Sequence, residues 1–82
     1  MKYTIIINRI IDIIQFVNTC SHMSCSNEIL LRQGAETVNA ASLMGVLSID
    51  LSKPAELEVP SSIGEEEKEV LLNYILPFTV IS

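Results

Sequence analysis

The apolar positions of this chain change period several times, and each change marks an element. Residues 2–7 (KYTIII) form an unbroken β-branched and aromatic run, which predicts a buried strand. Asn8 then has the chemistry of a helix cap. From Ile10 the spacing becomes helical: Ile10, Ile13, Ile14 and Val17 make an i, i+3, i+4, i+7 stripe. Asp12, Gln15, Asn18, Thr19 and His22 fall mostly off it, and the helix fades in the polar stretch from Met23 to Ser26. Residues 28–32 (EILLR) read as a second strand, Gln33-Gly34-Ala35 as a turn, and 36–39 (ETVN) as a third strand closing a hairpin.

Ser42 stands before Leu43, Met44, Val46 and Leu47, the pattern of a short helix with a serine N-cap. Residues 48–54 are a connection whose exit Pro54 helps to fix. Residues 55–59 (AELEV) alternate polar and apolar, as a strand with one exposed face does. Pro60 ends that strand. Ser62 with Glu65 three residues on is the capping-box pattern. Glu65, Glu66 and Glu67 crowd a first turn, where the helix dipole favours negative charge. Val70, Leu71, Tyr74 and Ile75 give this last helix its apolar face, and Pro77 stops it. Residues 78–82 receive no assignment.

Strand, helix, two strands, helix, strand and helix (βαββαβα) make an α+β domain. A four-stranded, mostly antiparallel sheet with the helices on one face would bury the Ile, Leu and Val stripes and leave its other face open. The length of 82 residues predicts a single domain over 1–82, with 77–82 as a tail. At 49% hydrophobic the chain is too apolar for a disordered tail. With ten acidic residues against five basic, its net charge is −5. That balance argues against nucleic acid and against anionic membrane surfaces, since both need a positive face. No apolar run approaches the roughly 20 residues that span a bilayer. The apolar start is broken by Asn8, Arg9 and Asp12 with no clean cleavage site after it, so no signal peptide is expected. Only two cysteines, Cys20 and Cys25, are present, too few for a disulfide-stapled secreted domain. The expectation is a cytoplasmic protein without membrane insertion.

Residues 37–49, from Thr37-Val38-Asn39 through Ser42-Leu43-Met44-Gly45 to Ser48-Ile49, resemble the most typical segment of HPr, the histidine-containing phosphocarrier of the bacterial phosphoenolpyruvate-dependent sugar phosphotransferase system. The resemblance runs on through Ala55 to Val59 and to Glu65-Glu66-Glu67. It extends back over Glu28 to Leu31 and, more weakly, over Phe16-Val17-Asn18-Thr19. It implies an HPr-like open-faced sandwich. The family's phosphate-bearing histidine, in a G-[IL]-H-A-R-P setting, opens its first helix. Here its place falls on Arg9 or on Ile11, depending on the alignment, and the partner arginine's place falls on Ile11 or Ile13. The single histidine, His22, lies on the order of 15–20 Å away at about 1.5 Å per residue. Relay through an imidazole needs a nitrogen nucleophile held at backbone N–H groups, and that nucleophile is missing.

Ser42 matches the serine that a bifunctional kinase/phosphorylase modifies in HPr of Gram-positive bacteria, with Ala41 where a lysine often stands. Leu43 and Met44 match the apolar pair that HPr presents to partners. The expectation is therefore a non-enzymatic regulatory or protein-interaction module, with regulatory phosphorylation at Ser42 and partner binding at Leu43, Met44 and Leu47. Its partners would be phosphotransferase-system components, a serine kinase or a transcriptional regulator. A phosphocarrier with altered chemistry and a structural or ligand-binding α+β module are the alternatives.

The other reactive side chains point to no chemistry. Cys20, His22 and Cys25 lack the tight pairing and the fourth ligand that zinc prefers, so thiols and a surface imidazole are expected and no metal. Glu65, Glu66, Glu67 and Glu69 point in different directions and form a solvated first turn. Arg9 and Asp12 make an exposed ion pair one turn apart. Gly34, Gly45 and Gly64 form no phosphate-binding motif, and no cofactor is implied.

Overall fold

A computed structural model describes residues 1–80. The strands are β1 (Lys2–Ile5), β2 (Leu30–Gln33), β3 (Glu36–Asn39) and β4 (Ala55–Glu58), and the helices are α1 (Ile10–Ser21), α2 (Leu43–Leu47) and α3 (Glu65–Ile75). Short 3-10 turns cover Ser26–Glu28 and Leu76–Phe78. The four strands form one sheet in the order β1-β4-β2-β3, with every neighbouring pair antiparallel. β1 and β2 therefore run the same way with β4 between them, and β3 and β4 do so with β2 between them. Each like-directed pair is bridged by a helix, giving two interleaved split β-α-β units. This is the α+β open-faced sandwich that the element order implied.

Strand alternation sorts the sheet residues. Ile5, Leu31, Ala55 and Leu57 turn inward and are buried. Lys2, Arg32, Glu56 and Glu58 turn outward and pair across the open face, Lys2 with Glu56 at 3.8 Å and Arg32 with Glu58 at 3.2 Å. Exposed pairs of this kind contribute at most about 1 kcal/mol each. The hairpin between β2 and β3 is two residues long because Gly34 adopts φ +59°. Gly34 at the first turn position, with no positive φ at Ala35, is the type II′ arrangement that matches strand twist.

The helices differ from the periodicity reading in their detail. β1 stops at Ile5 rather than residue 7, and β2 starts at Leu30 and takes in Gln33, which the sequence put in the turn. α1 begins one residue too late for Asn8 to cap it. Arg9 holds the N-cap position and makes no side-chain cap bond. The buried stripe of α1 is Ile13, Phe16, Val17 and Cys20, while Ile10 and Ile14 are exposed. The stripe keeps the helical spacing but starts one turn later. The capping box does not form either: Gly64 takes the N-cap position of α3, and Ser62 stays in the preceding turn, anchored by buried Ile63. On α3 Leu71 and Ile75 are buried, Tyr74 is half-buried, and Val70 is exposed. Pro77 falls within the 3-10 turn after α3.

The unassigned tail has a place as far as Val80. The Ile6 N–H donates to the Phe78 carbonyl at 2.9 Å, and the Val80 N–H donates to the Thr4 carbonyl at 2.8 Å. Thr79 bridges Ile5 in antiparallel sense. The tail thus covers the free edge of β1, which would otherwise offer unpaired backbone groups. Residues 81 and 82 lie outside the described residues.

Candidate functional site

α2 is five residues long and is held by side chains that set its start. The Asn39 carboxamide oxygen accepts from the Ala41 N–H at 2.7 Å, an Asx turn that bends the chain off β3. The Ser42 N–H donates to the Asn39 carbonyl at 3.0 Å. Ser42 Oγ then accepts from the Gly45 N–H at 3.2 Å and caps the helix, as the sequence predicts. Gly45 is needed for a different reason. A Cβ there would come within 3.3 Å of both Ser42 Oγ and the Val38 Cβ, so glycine is what lets α2 lie this close to β3.

One side chain of α2, Val46, enters the core. Leu43, Met44 and Leu47 are exposed, and Met44 is 85% exposed. Ser42 is exposed beside them. The structure therefore gathers the four predicted positions, Ser42, Leu43, Met44 and Leu47, on one short exposed helix.

The start of α1 carries no imidazole. Arg9 Nε lies 3.6 Å from Asp12 Oδ2, the expected pair one turn apart, and Ile10 and Ile11 project beside it. His22 sits at the opposite end as the C-cap, its Nδ1 2.7 Å from the Asn18 carbonyl oxygen. It is about 20 Å from Arg9 along the helix.

Cys20, His22 and Cys25 do not converge. Cys20 is buried, and burial, reinforced by the neighbouring Cys25, pushes its thiol up to about 12. Cys25 is half-buried just past α1, and its thiol is also raised, first by burial and then by Glu67 and Glu28. Both thiols are free, and among the described residues no three His, Cys, Asp or Glu side chains are grouped to hold a metal ion. Glu67 has a structural task. Its carboxylate accepts from Ser24 Oγ at 2.6 Å and from the Ser24 N–H at 3.0 Å, which ties the start of α3 to the end of α1. Those two donors hold the Glu67 carboxyl below its ordinary range.

Sequence reading missed the residues that orient α2. Asn39 is one, and its place three residues before a cap serine was the available signal. Gln33 is the other. Its amide donates to the Asp50 carbonyl at 2.8 Å and accepts from the Asp50 N–H at 2.9 Å, fixing the loop that leaves α2. A contact between residues so far apart in sequence leaves no local signal.

The sequence profile of the family described as PTS HPr component phosphorylation site matches residues 13–73. The chain belongs to the HPr family. The matched span runs from the second turn of α1 to near the end of α3 and contains Ser42, Leu43, Met44 and Leu47; Arg9 and Ile11 precede it. No curated protein and no solved structure matches the chain. Membership makes it a phosphocarrier-like protein related to the phosphotransferase system, a family whose members act through protein partners. Among the described residues no helix is long and apolar enough to cross a membrane.

Proposed function

We propose that this HPr-family protein is a regulatory protein-interaction module rather than a phosphate carrier. It docks a protein partner through Leu43, Met44 and Leu47, under the control of phosphate on Ser42. The contrast between the two helix starts carries this reading. α1 opens with Arg9, Ile10 and Ile11 and offers no imidazole, whereas α2 opens with an exposed serine hydroxyl among exposed apolar side chains. A guanidinium stays protonated at neutral pH and has no free lone pair to attack phosphorus.

In the proposed step a serine kinase transfers the γ-phosphoryl group of ATP to Ser42 Oγ. The hydroxyl proton leaves to a base of the kinase, and ADP departs. The product carries about −1.5 to −2 charges next to Leu43 and Met44. An apolar partner surface would then have to desolvate that charge, so phosphorylation switches docking off. The partners in this reading are components of the sugar phosphotransferase system, the kinase itself, or a transcriptional regulator, in a bacterial cytoplasm.

Intact-mass measurement tests the reading. The protein is incubated with the serine kinase and ATP, and separately with the phosphoenolpyruvate-dependent enzyme and phosphoenolpyruvate. The expected result is a gain of one phosphate in the first reaction, absent in Ser42→Ala. An acid-labile phosphate gained in the second would replace this reading with a carrier of altered chemistry. No gain in either would leave a binding module without phosphate control.

A further inference from the structure

Four hydrogen bonds donated by residues 40–45 fix where the Ser42 hydroxyl stands. The Ala40 N–H donates to the Ile29 carbonyl at 2.9 Å and holds buried Ala40 to the residue before β2. The Ala41 N–H donates to Asn39 Oδ1 at 2.7 Å, and the Ser42 N–H donates to the Asn39 carbonyl at 3.0 Å. The Gly45 N–H donates to Ser42 Oγ at 3.2 Å. That last bond takes one lone pair of the hydroxyl and leaves the other free on an exposed residue. Two of the four bonds end on Asn39, one of them on its side chain. Asn39 Nδ2 donates in turn to the Asn27 carbonyl at 3.3 Å, which ties the carboxamide to the 3-10 turn at Ser26–Glu28. The carboxamide is thus held at both ends, its oxygen by the chain it bends and its nitrogen by a separate segment.

We propose that Asn39 is a positioning residue for phosphoryl transfer to Ser42. The proposal rests on the reading of Ser42 as a phosphorylation site and names the side chain that aims it. In the transfer the free lone pair of Ser42 Oγ forms a bond to the γ-phosphorus of ATP. The bond from that phosphorus to the bridging oxygen of ADP breaks, and the hydroxyl proton passes to a base of the kinase. Such a displacement needs the attacking oxygen in line with the leaving one, and a misplacement of about 1 Å costs on the order of a hundredfold in rate. α2 cannot aim Ser42 by itself. Its five residues are too few to hold a helix in water, and Val46 is its one buried side chain. Ser42 is extended, at φ −104° and ψ 112°, so its orientation is set by the residues before it. Without the Asn39 carboxamide the Ala41 N–H loses its partner, and the step from Ala40 to Ser42 loses its side-chain brace. Leu43 and Met44 stay presented, because Val46 remains in the core and Gly45 remains against Val38. The loss is one of aim rather than of docking, so it falls on kcat of the kinase and not on KM.

Steady-state phosphorylation of the full chain by the serine kinase and ATP, read as phosphate incorporated at Ser42, tests the proposal. Asn39→Ala should lower kcat about tenfold or more while KM for the protein stays within about threefold. Asn39→Ser keeps a neutral acceptor for the Ala41 N–H and should restore kcat to within about threefold of the unsubstituted protein. Asn39→Gln carries its acceptor past the Ala41 N–H and should fall with Asn39→Ala, which keeps the test open if the alanine variant does not fold. Ile75→Val, a buried change on α3 that lowers stability without touching the turn, should leave both constants unchanged. An unchanged kcat in Asn39→Ala and Asn39→Gln would overturn the proposal. So would a loss carried by KM, an equal loss in Ile75→Val, or no recovery in Asn39→Ser. Each of those results leaves the Ser42 reading standing, because Ser42 is still phosphorylated in the unsubstituted protein. Absence of phosphate on Ser42 in that protein would overturn the reading and this proposal with it.

Discussion

Ser24 and Glu67 show how one residue can be tuned without being part of a reaction. Two donors on Ser24 stabilise the ionised Glu67 carboxylate and pull its pKa below the ordinary 4.5. A carboxyl depressed in the folded state adds stability above its unfolded pKa, and the gain disappears as pH falls through the folded value. Carbon-detected NMR titration should place Glu67 below 4.5. Ser24→Ala should move it back toward 4.5 by removing the hydroxyl donor. Cys20 moves the opposite way. Its thiol, raised from 9.0 to about 12, stays protonated in the fold. Stability from that group is complete below 9.0 and declines as pH rises toward 12. At mildly alkaline pH a thiol reagent should modify half-buried Cys25 while the protein is native and reach Cys20 only when it unfolds. Modification of Cys20 at the same rate as Cys25 would contradict the packing of α1 on the sheet.

At the scale of elements, the parts built by local chemistry were legible and the parts decided by packing were not. Gly34 and the Ser42 cap act within three or four residues, so the hairpin turn and the start of α2 follow from the sequence. α1 is different because Ile10, Ile11, Ile13 and Ile14 are apolar on nearly every side. Periodicity cannot choose among such stripes; contact with α2, α3 and the sheet chooses Ile13, Phe16, Val17 and Cys20. The same ambiguity hid the exposure of Ile10 and Ile14, while that of Met44 was readable because so short a helix as α2 buries one side only. Ser62 failed as a cap because Ile63 is drawn into the core and the helix begins beyond it. The Ser42 cap can be weighed directly. Ser42→Ala should lower stability by about 1 kcal/mol in urea denaturation, and Ser42→Asp, which keeps an acceptor, by little. Equal losses in both would show that the Gly45 N–H bond contributes nothing.

Over the whole molecule, 82 residues leave a small margin, about 4–12 kcal/mol for a domain of this length. Leu57 sits at the centre, on β4 between β1 and β2, and is fully buried. Leu57→Ala removes a side chain that both neighbouring strands pack beside and should cost about 2–5 kcal/mol, a large share of the total. The tail is the opposite extreme, a strip of two backbone bonds on the edge of β1. Val80→Pro removes the N–H that reaches Thr4, in a place where water can still satisfy the carbonyl, and should cost about 1 kcal/mol. The size of the loss matters less than its form. Phe78 packs on the core and its ring meets Tyr74 of α3 at 5.8 Å, so the tail is tied to a helix as well as to the sheet. If tail and sheet are one cooperative unit, Val80→Pro shifts a single urea transition to lower concentration, and circular dichroism and Tyr fluorescence move together. The Ile6 amide, which donates to Phe78, should then exchange only slightly faster than amides between β1 and β4. A separate early transition, with Ile6 exchanging long before the β1–β4 amides, would mean that the edge opens by itself and that β1 is covered only part of the time.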